Sequence, residues 1–205
     1  RSCIWLATDC LIVQPPLGFI LGPDHDAAVR PVHHRNIGLS STKSLDPFWR
    51  GVYNALDIED ISLTVRSFVE QEPLRAYYNT HAFALNPEKR IAARWLEAFE
   101  SLVTDEAFQS GPCRDTRHRV LLHQAPFSPL VATLIAPDRI RLLPPTYSYP
   151  YNLQAQIPEP RRATALNDLI SLAYEDRSLH PSDMTDLKVR EPLRAWLAAR
   201  TTASG

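Results

Sequence analysis

The chain predicts an α/β fold, on three observations. Short apolar runs closed by prolines alternate with longer helical patterns. One stretch carries apolar residues at helical spacing over three turns: Ile91, Trp95, Phe99 and Leu102. At 205 residues with 44% hydrophobic content, the chain has the material for a substantial core, read here as a single domain over 1–205.

Taken in order, Cys3 to Leu6 reads as a core strand and Leu11 to Val13 as a second, stopped by Pro15-Pro16. Ala27 to Val32 reads as a third. Asp46-Pro47 is a helix start, because the carboxylate caps and Pro at the first helical position gives up no needed donor. Phe48, Val52 and Leu56 follow on one face. Leu63 to Val69 is predicted extended, Phe83 to Leu85 a short buried strand, and Glu88 to Val103 the clearest helix. A helix over Asp115 to Gln124 meets Pro126 and Pro129, which kink or stop it. Arg139 to Leu143 is a strand, 144–160 an irregular excursion, and helices near Ala163 to Leu172 and Glu191 to Arg200 close the pattern.

Charge narrows the partners. Lys and Arg total 22 against 23 Asp and Glu, and no basic run exceeds two residues. That balance argues against nucleic acid and anionic membranes. No apolar stretch approaches the ~20 residues of a spanning helix, and no signal peptide is recognisable. Cys3, Cys10 and Cys113 are odd in number and lack C-x-x-C spacing, which predicts neither disulfides nor zinc and points to a reducing, cytoplasmic compartment. The chain opens without Met on an apolar strand, so an N-terminal part is expected to be missing.

No dinucleotide fingerprint, P-loop, nucleophile elbow or H-E-x-x-H is present. Gly18 and Gly22 say almost nothing. His33-His34 are candidate ligands, but neighbours on an extended chain point to opposite faces, which favours separate hydrogen-bonding roles.

Six segments are more informative together: WLATDCLIVQPP (5–16), AVRPVHHRNIG (28–38), DPFW (46–49), YYNTHAFALNPEKRIAARWLEAF (77–99), LLHQAPFSPLVATLI (121–135) and IRLLPPTYSYPYNLQ (140–154). Their order resembles that of GT-A-fold nucleotide-diphospho-sugar glycosyltransferases, glycogenin-type relatives and their bacterial cousins above all. The resemblance implies a mixed, mostly parallel sheet flanked by helices, without the nucleotide-binding unit that usually comes first. It also implies a glycosyltransferase, hexosyltransferase-like, with a nucleotide-sugar donor and an unknown acceptor as partners.

In that family the strand ends in Asp-x-Asp, whose carboxylates hold Mn²⁺ or Mg²⁺ against the donor diphosphate. Here Ala7 takes the first position and Asp9 the second. Three explanations stay open: a weakened metal site, a metal-free site in which Arg30 or Arg35 meets the phosphates, or lost catalysis. Asp9 also fits a strand-end carboxylate capping a turn. By the same resemblance Asn79, Thr80 and His81 line the sugar pocket, with His81 where Gly is common. His123 and Gln124 match a catalytic Asp-Gln helix start that faces the donor sugar, or lie on the polar edge of a helix. Glu175 or Asp176 supplies the oxygen ligand missing beside Asp9. The loop Tyr147 to Tyr151 stacks on a sugar or covers a dimer contact. The rival reading is a degenerate GT-A-like module that binds a saccharide, nucleotide or protein without catalysis; a two-metal phosphohydrolase lacks its ligand cluster.

Overall fold

The computed structural model describes residues 1–203. Nine strands form a four-stranded sheet, a three-stranded sheet and a ribbon. The first sheet has the order β1 (Cys3–Leu6), β6 (Ala82–Leu85), β3 (Ala27–Val29), β7 (Ile140–Leu142). The second has the order β2 (Cys10–Ile12), β9 (Ser171–Ala173), β8 (Tyr149–Pro150), and the ribbon pairs β4 (Thr64–Arg66) with β5 (Pro73–Arg75). The fold is α/β with mixed sheets and flanking helices. The sheets are not mostly parallel, however: only β3 with β7 and β8 with β9 run parallel, and the other four pairings are antiparallel.

Local chemistry accounts for most helix limits. Asp46 accepts the Trp49 N–H at 2.9 Å and Pro47 opens α1 (Pro47–Ala55), which buries Phe48, Trp49, Val52 and Tyr53. In α2 (Ile91–Thr104), Ile91, Ala98 and Leu102 are buried, while Trp95 and Phe99 stand half-buried at its margin. This helix starts later than its pattern suggests, because Asn86 accepts the Glu88 N–H and closes a tight turn over Pro87–Lys89 first.

A short α3 (Glu106–Ser110) follows, capped by Asp105, and Asp115 caps α4 (Thr116–Leu121). That helix stops at Leu121, short of Pro126, which stands at the N-cap of α5 (Phe127–Leu134); Pro129 sits inside α5, where in the first turn its missing N–H costs nothing. The last helix, α6, spans Leu193–Ala198.

Three expectations are corrected. Residues 163–172 are not a helix but a 3₁₀ turn at Leu166–Asp168 leading into β9. Leu166, Leu169 and Leu172 have helical spacing, but Leu172 is fully buried in a strand flanked on both sides, and sheet pairing overrides the local pattern. β1 is not a core strand: it borders the sheet, with Ile4 46%, Trp5 52% and Leu6 44% exposed. Tyr147, Tyr149 and Tyr151 are at most 6% exposed, so their rings fill the core and present no stacking face.

One carboxylate gathers the far end of the first sheet. Asp26, 1% exposed, accepts from Asn86 Nδ2 and Arg139 Nε, each at 2.6 Å, and pairs with Lys89 Nζ at 3.2 Å. Its backbone N–H donates to the Arg139 carbonyl, and its own carbonyl accepts from Asn86. The start of β3, the end of β6 and the start of β7 thereby meet at a single side chain.

The Arg139 guanidinium, more than the Asn86 amide and Lys89, holds the Asp26 carboxyl well below the usual carboxylate range. Its stabilisation is therefore present above the unfolded value near 4 and is lost as pH falls below it. Asp26→Asn should lower the unfolding free energy by about 2–3 kcal/mol at pH 7, the low end for a broken buried pair because both cations keep access to water. Urea unfolding at pH 7 and pH 3 checks this, and the gap to wild type should narrow at the lower pH.

Candidate metal centre

Two strand registers build the site. Leu6 opposite Ala82 brings Ala7 beside His81, and the Ala7 N–H donates to the His81 carbonyl at 2.7 Å. Cys10 opposite Ala173 brings the Thr8-Asp9 turn beside Tyr174, whose N–H donates to the Asp9 carbonyl at 3.1 Å. The chain crosses from the first sheet to the second within that turn. A side chain from the start of β6 therefore meets two carboxylates from the second sheet's edge.

His81 Nδ1 lies 3.3 Å from Asp9 Oδ1, and its Nε2 lies 3.7 Å from Glu175 Oε1. One ligand atom from each of the three residues falls within 4.8 Å of the others. Asp9 and His81 are about a quarter exposed and Glu175 somewhat more, so the cluster is reachable from solvent. His81 Nδ1 is a buried atom with no aligned hydrogen bond, although a carboxylate stands beside it. The ring thus turns a different nitrogen to each carboxylate, Nδ1 to Asp9 and Nε2 to Glu175, and one imidazole nitrogen with two carboxylate oxygens is a donor set that fits a divalent cation.

Glu175 holds an unusual backbone, φ +46°, and its carboxylate stands opposite His81 Nε2. Asn152 Nδ2 fixes it by donating to Oε2 at 2.6 Å.

His81 also borders a hollow of about 180 Å³, lined with it by Trp5, Ala7, Thr80, Trp95 and His123. Ala7 thus forms part of the wall. Thr80 Oγ1 is 3.4 Å from both His123 Nε2 and Gln124 Oε1. His123 Nδ1 donates to the Val120 carbonyl at 3.1 Å, which leaves Nε2 as the acceptor. Burial pushes the His123 pKa below its ordinary value, so the ring is neutral near pH 7. Trp95 Nε1 holds the His123 carbonyl at 2.6 Å.

The residues expected at the site are placed as follows. Asp9 and Glu175 converge, and His81 joins them as a third ligand candidate as well as a wall of the hollow. Thr80 and His123 face the same hollow; Gln124 is only 7% exposed and meets it through Thr80. Asn79, 6% exposed, turns inward: its Oδ1 accepts the His81 N–H at 2.7 Å.

Arg30 does not reach the surface as a phosphate contact would. It is 2% exposed, its Nη1 donates to the carbonyls of Ser148 (2.7 Å), Tyr147 and Pro145, and its guanidinium lies 4.5 Å over the Phe68 ring. Burial lowers its pKa to about 9. Arg35 lies away from the cluster, on a larger groove of about 1010 Å³ beside the start of α4. His33 and His34 point apart, to Ser148 and to Glu70.

Sequence reasoning missed Asn152 and the paired Trp5 and Trp95 as parts of the site. Asn152 lies within the segment IRLLPPTYSYPYNLQ, so its neighbourhood was visible; its contact with Glu175 depends on a 3₁₀ turn over Tyr151–Gln156. No helix among the described residues is long and apolar enough to cross a membrane. Comparison with protein-family models, with curated proteins and with solved structures finds no match to this chain.

Proposed function

We propose that the chain transfers a sugar from a nucleotide-diphospho-sugar donor, with a divalent cation held by Asp9, His81 and Glu175. The observation that carries this reading is the convergence of those three residues beside a hollow whose wall includes Ala7. Two carboxylates suit Mg²⁺ or Mn²⁺, and of these two an imidazole in the set favours Mn²⁺ over the harder Mg²⁺. Such a cation supplies charge neutralisation for the departing nucleoside diphosphate.

The protein's own groups do the rest by placement. A cavity of about 150 Å³ holds benzene, so the hollow is the size for one six-membered ring and not for two. Its Trp5 and Trp95 faces take the apolar side of a sugar ring, while Thr80 and His123 meet hydroxyls. Neutral His123 is the base of the hollow left free of the cation, and Gln124 orients Thr80. The resemblance in chain order of the six segments supports the same class of reaction.

Mn²⁺ titration followed by electron paramagnetic resonance tests the ligand set. Asp9→Asn, His81→Ala and Glu175→Gln should each weaken binding by more than the ~10–100-fold that losing an outer-shell partner costs. Ala7→Asp should strengthen it by adding a carboxylate; no change on Ala7→Asp and no loss in the three variants would remove the metal from the reading.

A thermal-shift screen of nucleotide sugars with and without Mn²⁺ tests the reaction class. A true donor at a hundred times its Kd should add about 2.7 kcal/mol, read as roughly 5–10 °C for a chain of this size. The shift should grow with metal; a flat response to every donor would favour the noncatalytic binding module.

A further inference from the structure

Asp9 and Glu175 lie against the second sheet, whereas His81 opens a strand of the first. A run of buried polar groups links the two sides from behind. It begins at His81, whose N–H donates to Asn79 Oδ1 at 2.7 Å. Asn79 Nδ2 in turn lies 3.3 and 3.5 Å from the two ring nitrogens of His33. His33 Nε2 is 3.0 Å from the Ser148 carbonyl and must donate to it, so Nδ1 is the nitrogen that accepts from Asn79.

The run then crosses to the second sheet. The Ser148 N–H donates to Ser171 Oγ at 2.9 Å, and Ser171 opens β9, the strand that ends beside Tyr174 and Glu175. Arg30 braces the middle: its Nη1 binds the same Ser148 carbonyl at 2.7 Å, and its backbone carbonyl accepts the Asn79 N–H at 2.8 Å. Beyond His81, every member is at most 8% exposed.

Such a run is an expensive way to fill space. Among the described residues it buries a guanidinium with no carboxylate partner and leaves Arg30 Nη2 and Ser148 Oγ without hydrogen bonds, where apolar side chains would carry no such cost. Hydrogen bonds offer what apolar contacts do not: direction and a fixed length. A metal centre needs that, because ligand atoms must be held within about 0.5 Å.

We infer that Asn79, His33, Ser148 and Ser171, braced by Arg30, are positioning residues that set the distance of His81 from Asp9 and Glu175. Asn79 is accordingly a support for the centre and not a contact to sugar, since both ends of its amide are engaged inside the protein. Burial, more than the neighbouring Arg30, pushes the His33 pKa well down, so the donor pattern of the run is constant around neutral pH.

This inference rests on the metal reading of Asp9, His81 and Glu175, and the experiment separates the two. Mn²⁺ affinity and the spectrum of bound Mn²⁺ are measured on the full chain for wild type, Asn79→Ala, Asn79→Asp and Ser171→Ala, with thermal melting alongside. Asn79→Ala should bind Mn²⁺ about 10–100-fold more weakly with an altered spectrum, and Asn79→Asp, which keeps the acceptor for the His81 N–H, should recover part of the loss. Ser171→Ala, remote from the ligands, should shift the spectrum in the same sense and decides the matter if Asn79→Ala does not fold. Lower melting temperatures with unchanged affinity and spectrum would reduce the run to a structural role and leave the metal centre standing. Wild type that binds no Mn²⁺ at millimolar concentration would overturn both.

Discussion

The buried guanidinium of Arg30 is the constraint on which the rest of the arrangement depends. It leaves the end of β3 in the first sheet and closes on three carbonyls of the loop 145–148 that feeds β8 in the second. A cation so enclosed is costly unless its hydrogen bonds are made. The loop is therefore held where the carbonyls converge, with the Phe68 face covering the remaining side. Because β8 pairs with β9 and β9 with β2, fixing that loop fixes the whole second sheet against the first. The site lies at the seam so created.

At the seam, geometry and chemistry come from different parts of the chain. Antiparallel registers decide which residues face each other, and they require only backbone pairing. What the facing residues then do follows from their side chains: two carboxylates and one imidazole at ligand distance, with a small aromatic-walled hollow beside them. Asp26 plays the complementary part at the other end of β6, so that the strand delivering His81 is secured at both ends.

Much of this was legible before any coordinates. Asp46-Pro47 announced α1, and the stripe from Ile91 to Leu102 announced α2, because capping and amphipathicity are local. The segment of β9 is misleading locally, since Leu166, Leu169 and Leu172 have the spacing of a helix; what makes it a strand is its two neighbours, which lie more than a hundred residues away for β2 and about twenty for β8. The exposed border position of β1 was hidden for the same reason, since hydrophobicity marks a strand but not its place in the order. Asp9 and Glu175 were singled out through the resemblance, while the role of His81 as their partner depends on Leu6 pairing with Ala82, which no local pattern encodes. Arg30 as a phosphate contact is one of the alternatives that the sequence leaves open, with Arg35 beside it; its burial is a tertiary fact.

The left-handed backbone at Glu175 sets reach against comfort. A glycine or asparagine would relax that turn by roughly 1 kcal/mol, yet neither carries a carboxylate far enough to stand opposite His81. Breeding this chain for heat tolerance would thus reward substitutions at position 175 that discard the side chain the cluster needs, and robustness would be gained by erasing the feature that makes the turn worth its strain.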